Sequence, residues 1–254
     1  MPDLVQKAKW VRQQIFEMVT RTQRGPIPSS FSMVEILVAL YYVVKKDHEP
    51  VIISKGHAGM AVFPILADLG LIEMSELDKF AQPGGRLRMY ADPDVPGITV
   101  PCASLGIGFG VAAGMAFADR SRRVFCILGD AECYEGSVWE TAMWAAHHQL
   151  SNLVVILDRN GHGVMGKTED CVAQEPVEDK WRSFGWKPLT VDDGHSFYDL
   201  MSSFDYLKGA VCGPYIIIAH TKKAKGISFW EDKPNIHSAV MTPAQIEQAR
   251  MELA

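Results

Sequence analysis

The sequence lacks the features that mark several classes of protein. Only five of its 254 residues are cysteine, and they form no CxxC pair and no metal-binding spacing: Cys102, Cys126, Cys133, Cys171 and Cys212. Such a scattered, odd set predicts buried thiols in a reducing compartment. No apolar run reaches the length that spans a membrane, and the start of the chain has no secretory signal. We therefore expect a soluble, cytoplasmic globular protein with no membrane partner.

The sequence also lacks an excess of basic residues. It has 25 Lys and Arg against 30 Asp and Glu, a net charge of -5, so nothing indicates nucleic acid as a partner. Hydrophobic residues, in contrast, make up 48% of the chain, which is enough for a large core. Because no internal repeat or linker is visible, we expect residues 1–254 to form one domain.

Apolar spacing predicts helices at both ends of the chain. Near the start, apolar side chains recur every three or four positions: Leu4, Ala8, Val11, Ile15 and Met18. The segment Gly25–Ser30 interrupts this pattern, and Ser32 is expected to cap a second helix that runs through Tyr41. Thr242 is expected to begin the last helix.

Short, continuous apolar runs alternate with helical segments in between. The runs predict strands at the start of PVIISKGHA (residues 50–58) and at Val124–Leu128, Leu153–Leu157, Lys187–Val191 and Tyr215–Ala219. Helices are expected at His57–Leu69 and Ser137–Gln149. Ala81–Pro101, rich in glycine, proline and aspartate, is expected to be a long ordered loop. The pattern is typical of an α/β fold with a parallel sheet covered by helices on both faces.

Two polar residues follow neighbouring predicted strands. Asp130 comes after Val124–Leu128 and Asn160 after the next strand, so both belong at the carboxyl edge of the sheet, where open α/β sheets bind ligands. Gly129 lets a ligand approach the backbone, and the turn at Ala131 leads into a helix start that favours anions. Carboxylate and amide oxygens suit Mg²⁺ shared with a diphosphate. Taken alone, an aspartate in this position is more often a helix cap and an Asn-Gly pair is more often a turn. The order and spacing of Asp130 and Asn160 together favour a metal-binding role.

The segment GDAECYEGSVWETAMWAAHHQLSNLVVILDRN (residues 129–160) resembles the thiamine-diphosphate motif of transketolases. Four further motifs match the family in order: SKGHA (54–58), SLGIGFGVAAGMA (104–116), DGH (193–195) and KGISFWEDKPNIHS (225–238). The resemblance covers nearly the whole chain. It is to the amino-terminal, diphosphate-binding domain of the family, of the kind encoded as a separate subunit in split enzymes.

The resemblance implies a set of site residues. Asp130 and Asn160 would be side-chain ligands of Mg²⁺, or of Ca²⁺ or Mn²⁺ in its place, with the main-chain carbonyl of His162 as a third ligand. His57 and His237 would be the catalytic histidines. Thiamine diphosphate would be bound by residues of these motifs: His57, Leu105, Gly129, Asp130, Ala131, Glu135 and Asn160. Glu135 would also join a proton network across a subunit interface.

The resemblance also implies a partner. In the family, a glutamate on the pyrimidine-binding domain activates the cofactor, and this domain and the carboxyl-terminal domain are expected on a second subunit. An α2β2 heterotetramer would then transfer a two-carbon ketol or related acyl-carbanion unit from a sugar or 2-oxo acid donor to an aldehyde.

Two departures from the family concern the substrate. Pro26 stands where the family has a proton-handling histidine, and a proline can neither titrate nor donate a hydrogen bond. A second histidine of the family is missing from the segment RMYADPDVPG (residues 88–97), and Tyr90 is the nearest residue that could replace it. Because such groups typically contribute ~10²–10⁴-fold each, we expect a non-standard donor or acceptor.

Other interpretations stay open at this stage. A near alternative is the α subunit of a 2-oxoacid dehydrogenase or of another thiamine-diphosphate enzyme that forms carbon–carbon bonds. An alternative from a different functional class is that the chain is a non-catalytic binding or regulatory subunit with the same fold. Among single residues, Glu132 and Glu135 are expected to cap a helix or bond at an interface, and His195 is expected to organise a loop.

Overall fold

A five-stranded parallel sheet forms the centre of the protein. The computed structural model describes residues 3–101, 103–209, 212–237 and 239–254; Cys102 and Ser238 lie outside them. The strands are β1 (Val51–Ile53), β2 (Val124–Gly129), β3 (Leu153–Arg159), β4 (Lys187–Val191) and β5 (Tyr215–His220). They run in the order β1-β2-β3-β5-β4, and every pairing is parallel. The predicted fold class is confirmed, and the strand predictions err by at most two residues.

Helices connect the strands. Those of α type are α1 (Leu4–Thr22), α2 (Ile27–Phe31), α3 (Val34–Ala39), α4 (Phe63–Asp68), α5 (Ile107–Ala118), α6 (Gly136–His147), α7 (Thr168–Cys171), α8 (Val177–Ser183), α9 (Phe197–Lys208) and α10 (Pro243–Leu253). Tighter 3₁₀ turns span Gly56–Val62, Met74–Lys79 and Ala131–Tyr134, and a π turn spans Leu40–Val44. None of the helices in the described ranges is long and apolar enough to cross a bilayer.

The two faces of the sheet carry separate apolar cores. Alternate residues of β2 and β3 point to opposite sides, so Phe125 and Ile127 pack with α1, α3 and α9. Cys126 and Leu128 pack on the other side, against α5, α6 and Trp181 of α8. All six residues of β2 are buried, as expected for a parallel strand covered on both faces.

Three predictions of local structure are wrong. Ser32 does not cap the start of a helix: its hydroxyl donates to Asp158 at 2.5 Å, and α3 begins at Val34 with Met33 in the capping position. The segment from His57 to Leu69 is a 3₁₀ turn followed by the short helix α4. Of the described cysteines, Cys171 and Cys212 are exposed rather than buried, because they lie at the end of α7 and in the loop before β5.

A buried polar cluster joins the first helices to the loop after β4. The guanidinium of Arg12 donates to both oxygens of Glu35 at 2.6 Å, and Nδ1 of His195 contacts the same carboxylate at 2.8 Å. The other ring nitrogen of His195 accepts the Lys222 N–H at 2.8 Å. The expectation that His195 organises a loop is confirmed. Burial alone would raise the pKa of Glu35, but Arg12 and His195 lower it to about 2.

We predict that Glu35→Gln lowers the free energy of unfolding by about 3 kcal/mol at pH 7, because it leaves the buried guanidinium of Arg12 without its counter-charge. The pKa of Glu35 is about 2 when folded and near 4.5 when unfolded. The stabilisation is therefore full above pH 4.5 and is lost as the pH falls towards 2. Urea denaturation at several pH values measures it.

Glu17→Gln is the matched control, because Glu17 pairs with Arg250 at the surface and should contribute less than about 1 kcal/mol. Equal losses for the two variants at pH 7 would contradict the assigned role of Glu35.

Candidate cofactor and metal site

A cavity of about 230 Å³, here called the main cavity, lies beyond the carboxyl ends of β1, β2 and β3. The register of the sheet explains its position, because Gly129 at the end of β2 pairs with Asp158 near the end of β3. The loops that follow these strands therefore meet at one edge. Eight residues predicted from the sequence line the main cavity: His57, Leu105, Gly129, Asp130, Ala131, Asn160, His162 and His237.

Glu135 is the one predicted residue that does not line the main cavity. Its side chain is exposed at the start of α6. It packs against the turn at Gly106, where an added Cβ would lie 3.1 Å from the Cβ of Glu135. Gly106 also has a φ of 80°, so this tight turn requires glycine for two reasons. Glu135 therefore faces outward from the wall that holds Leu105.

Asp130 is buried and held by three donors. Its Oδ1 accepts the Ala131 N–H at 2.8 Å, and its Oδ2 accepts the Gly161 N–H at 2.6 Å and Nη1 of Arg159 at 3.2 Å. Burial and the nearby charge of Asp158 raise the pKa of Asp130, and Arg159 opposes this. The fixed carboxylate is oriented towards the loop that carries Asn160.

Arg159 was not predicted from the sequence. Its side chain is only 5% exposed, and it connects Asp130 to Thr168, Glu169 and Glu175 through contacts of 2.8–3.2 Å. The only sequence feature that pointed to a role for Arg159 was its position between Asp130 and Asn160, the two expected metal ligands. An arginine at the end of a strand gave no reason to expect burial, since arginine is mostly exposed.

Asn160 and His162 form one compact turn. The amide oxygen of Asn160 accepts the His162 N–H at 3.1 Å, and the Nδ1 of His162 lies 2.9 Å from the Asn160 carbonyl. The Nε2 of His162 is buried without a hydrogen-bond partner, in a residue that lines the main cavity. An orphaned polar atom at this place fits a cavity that takes a polar ligand.

The donor set fits a hard metal ion. Asp130 offers a carboxylate, Asn160 an amide oxygen and His162 a main-chain carbonyl, all of the oxygen type that Mg²⁺ prefers. Within the described residues no group of three or more His, Cys, Asp or Glu side chains could hold a metal. A metal here would thus be bound by a mixed set of carboxylate, amide and main-chain oxygens, and oxygens of the bound ligand would fill its remaining coordination positions.

A buried ion pair forms one side of the main cavity. The ammonium of Lys55 pairs with Asp158, and both side chains are at most 2% exposed. Ser32 and Thr221 also donate to this carboxylate. Burial would raise the pKa of Asp158, but Lys55 and the two hydroxyls lower it. The pair therefore stays ionised and fixes the backbone next to His57.

The two predicted catalytic histidines lie together, with ring centroids 5.1 Å apart. Burial and the charge of Lys55 lower the pKa of His57 to about 3. Burial and the charges of Lys223 and Lys55 lower the pKa of His237 to about 4. Both imidazoles are neutral at pH 7, so each can donate one hydrogen bond and accept another. Burial also lowers the pKa of Lys223, to about 8.

Glu132 has a role that the sequence did not reveal. Its Oε1 accepts the Ser54 hydroxyl at 2.5 Å and the Gly106 N–H at 2.8 Å, and its Oε2 accepts the Gly129 N–H at 3.1 Å. The expectation of helix capping is wrong here, because the carboxylate reaches sideways to two other loops. Burial raises its pKa. Glu132 holds three of the quoted motifs together beside the main cavity.

A second cavity of about 290 Å³, here called the side chamber, adjoins the main cavity. His57, Tyr90 and His237 line both. Pro26, the residue before α2, lines the side chamber only. Pro26 and Tyr90, the two departures from the family pattern, thus line one chamber together with the two predicted catalytic histidines.

Comparison with known proteins gives a consistent match. Residues 8–254 match the family described as "Transketolase, thiamine diphosphate binding domain". The 6-deoxy-6-sulfo-D-fructose transketolase subunit SqwG of Clostridium sp. (strain MSTE9) is 34% identical over 265 residues, covering 99% of this chain and 96% of that protein. An apulose-4-phosphate transketolase subunit of Phocaeicola vulgatus is 31% identical over 256 residues, covering 96% and 91%.

Longer transketolases match over part of their length. Human transketolase is 32% identical over 263 residues, covering 97% of this chain and 41% of that protein. The solved transketolase of Campylobacter jejuni superposes with a TM-score of 0.90 at 23% identity, covering 100% of this chain and 43% of that one, a likeness that concerns the fold. The chain spans less than half the length of both.

We predict that Glu132→Gln lowers the free energy of unfolding by about 1–3 kcal/mol, because an amide has a single acceptor oxygen and leaves a buried donor unpaired. Chemical denaturation measures this, with Glu140→Gln as control on the exposed side of α6. A loss no larger than that of the control would show that Glu132 does not hold the three loops.

Proposed function

The chain belongs to the transketolase family, and we propose that it is the thiamine-diphosphate- and magnesium-binding subunit of a two-component transketolase-like enzyme. The reaction would transfer a two-carbon ketol, or related acyl-carbanion, unit from a ketose or 2-oxo donor to an aldehyde acceptor. The observation that carries this proposal is the meeting of Asp130, Asn160 and His162 with His57 and His237 around one cavity.

In this proposal the side chains of Asp130 and Asn160 and the carbonyl of His162 would hold Mg²⁺ and, with it, the diphosphate of the cofactor. Arg159 keeps Asp130 in place from behind, and Gly129 and Ala131 leave room for the diphosphate at the end of β2. Leu105 would pack near the cofactor rings. The orphaned Nε2 of His162 is the buried polar atom that supports a polar ligand here.

When bound, thiamine diphosphate supplies the carbon nucleophile for the transfer. The chain's own residues position the substrate beside it. Neutral His57 and His237 would each accept a hydrogen bond from a substrate hydroxyl at one ring nitrogen and donate one from the other. Lys55 and Lys223 contribute positive charge near developing negative charge.

A second subunit completes the proposed enzyme. The relatives from Clostridium and Phocaeicola are named as subunits, which supports a partner for this chain. We propose that residues 1–254 form one domain and that the partner carries the pyrimidine-binding and carboxyl-terminal domains. An α2β2 heterotetramer is the arrangement that the sequence resemblance implies, and the scattered cysteines support a cytoplasmic location. Glu135, exposed beside the main cavity, suits an interface role.

The substrate is proposed to be a non-standard sugar. Two relatives are named after unusual ketoses, 6-deoxy-6-sulfo-D-fructose and apulose 4-phosphate. Pro26 removes a titrating group from the side chamber, and Tyr90 replaces an imidazole with a phenol at its junction with the main cavity. Both changes alter which hydrogen bonds the protein can form to substrate hydroxyls. Neither changes a proposed metal ligand.

The first test is purification of the tagged chain from its native cells, with mass spectrometry of the proteins that accompany it and an assay for thiamine diphosphate. We expect a second subunit with a pyrimidine-binding domain, and bound cofactor. Recovery of this chain alone, without cofactor even in added Mg²⁺, would favour a non-catalytic role.

We predict that Asp130→Asn weakens magnesium-dependent binding of thiamine diphosphate to the assembled protein by more than the ~10–100-fold typical of outer-shell changes, because a charged ligand is lost. Isothermal titration with cofactor at fixed Mg²⁺ measures it. Glu169→Gln is the matched control, since it removes a different carboxylate from Arg159. Comparable losses in both variants would place the effect on Arg159 and not on a metal ligand.

A further inference from the structure

The side chamber, one of the two cavities that His57 and His237 line, is built mainly of apolar side chains. No charged side chain among the described residues lines it, whereas Lys55, Asp130 and Glu132 line the main cavity. A ligand held at the two histidines therefore meets charged groups in the main cavity and an apolar surface in the side chamber. The function proposed above gives this surface no role. It includes Val19, Ile27, Pro28, Met89, Trp230 and Met241.

The polar groups in the wall of the side chamber are largely satisfied within the protein. The Thr20 hydroxyl donates to a carbonyl one turn earlier in α1 at 2.9 Å, and the amide nitrogen of Gln23 donates to the Thr20 carbonyl at 2.9 Å. The main-chain carbonyls of Pro26 and Pro28 accept N–H groups at 3.2 and 3.0 Å, and proline has no N–H to offer. Sugar hydroxyls placed here would find few partners, and burial without a partner costs free energy.

The polar side chains that border both cavities lie at their junction. His57, Tyr90 and His237 line the main cavity and the side chamber alike. The imidazole of His237 is held by Ser29, whose hydroxyl lies 3.3 Å from Nδ1. An aldehyde oxygen at this junction would have hydrogen-bonding groups around it, and the substituent of the aldehyde would extend into the side chamber.

We propose that the side chamber binds the apolar substituent of the aldehyde acceptor, so that the preferred acceptor is an alkyl or aromatic aldehyde and not a polyhydroxy one. The inference rests on the proposed function and leaves its donor unchanged. Each methylene that the chamber buries favours binding about 4-fold, whereas each buried hydroxyl loses its hydrogen bonds to water. Pro26 contributes to this selectivity, because its side chain packs and cannot bond a hydroxyl.

The transfer then yields an α-hydroxy ketone with an apolar end. With hydroxypyruvate as donor, the bond between its carboxylate carbon and its carbonyl carbon breaks and CO₂ is released. The carbonyl carbon bonds to the aldehyde carbon, and the aldehyde oxygen takes up one proton. The step needs no oxidant or reductant.

The kinetic test uses the assembled two-subunit enzyme with hydroxypyruvate and matched acceptors. Propanal is compared with D-glyceraldehyde and butanal with D-erythrose, so that chain length is constant within each pair. We expect a higher kcat/KM for the alkyl aldehyde of each pair, and a rise of roughly 4-fold for each methylene from propanal to pentanal. A higher kcat/KM for the polyhydroxy aldehyde of either pair would overturn the proposal.

Two variants test the chamber wall. Met241→Gln places an amide of similar size in the apolar surface, and Pro26→His adds a ring that bonds hydroxyls. Each should lower the ratio of kcat/KM for butanal to that for D-erythrose roughly 10-fold. Met251→Gln is the matched control, because Met251 is 72% exposed on α10 and should keep the wild-type ratio. An unchanged ratio in both chamber variants, or an equal fall in the control, would contradict the assignment.

A second measurement detects the chamber without turnover. The alcohols 1-propanol, 1-butanol and 1-pentanol carry the same alkyl chains but no aldehyde, and saturation-transfer NMR on the assembled protein measures their binding. We expect the dissociation constant to fall roughly 4-fold for each methylene and to rise in Met241→Gln but not in Met251→Gln. Binding that does not depend on chain length would refute the apolar subsite. Binding as expected, without turnover of any aldehyde, would count against the transketolase proposal alone.

Discussion

The buried ion pair between Lys55 and Asp158 is the interaction on which the rest of the site depends. Asp158 is wholly buried near the end of β3 and also accepts hydrogen bonds from Ser32 and Thr221, so four chain segments meet at one carboxylate. Leaving either charge uncompensated in this interior would cost several kcal/mol. The loops that carry His57, Asn160 and the 221–237 segment are therefore fixed relative to the sheet before any ligand arrives.

The charges around the main cavity act on the two histidines. Lys55 and Lys223 lie in a buried setting, where electrostatic interactions are screened much less than at the surface. Their charges oppose protonation of His57 and His237, so these rings stay neutral. In the proposed function the same lysines would also attract the anionic cofactor, Lys55 less strongly because Asp158 offsets its charge.

Much of this arrangement was readable from the sequence. Continuous apolar strands predicted the parallel sheet, and the position of Asp130 and Asn160 after neighbouring strands predicted that they would meet. Ser32, Glu132 and Arg159 were misjudged or missed, because their roles depend on contacts with residues 29–126 positions away in the chain. Local propensity predicts that a serine before a helix caps it. In this structure the Ser32 hydroxyl instead donates its hydrogen bond to the buried carboxylate of Asp158.

The hydrogen bonds of Glu132 have a consequence for how this sequence can change. One carboxylate satisfies donors at Ser54, Gly106 and Gly129, which lie in three motifs far apart in the chain. Gly106 and Gly129 donate backbone N–H groups, which every residue but proline retains, whereas Ser54 donates its side-chain hydroxyl. Substitutions of Ser54 and Glu132 are therefore expected to be non-additive, since residues in contact couple energetically. A single change at Glu132 alters three segments that lie far apart in the chain, whereas a change at Ser54 removes one hydrogen bond.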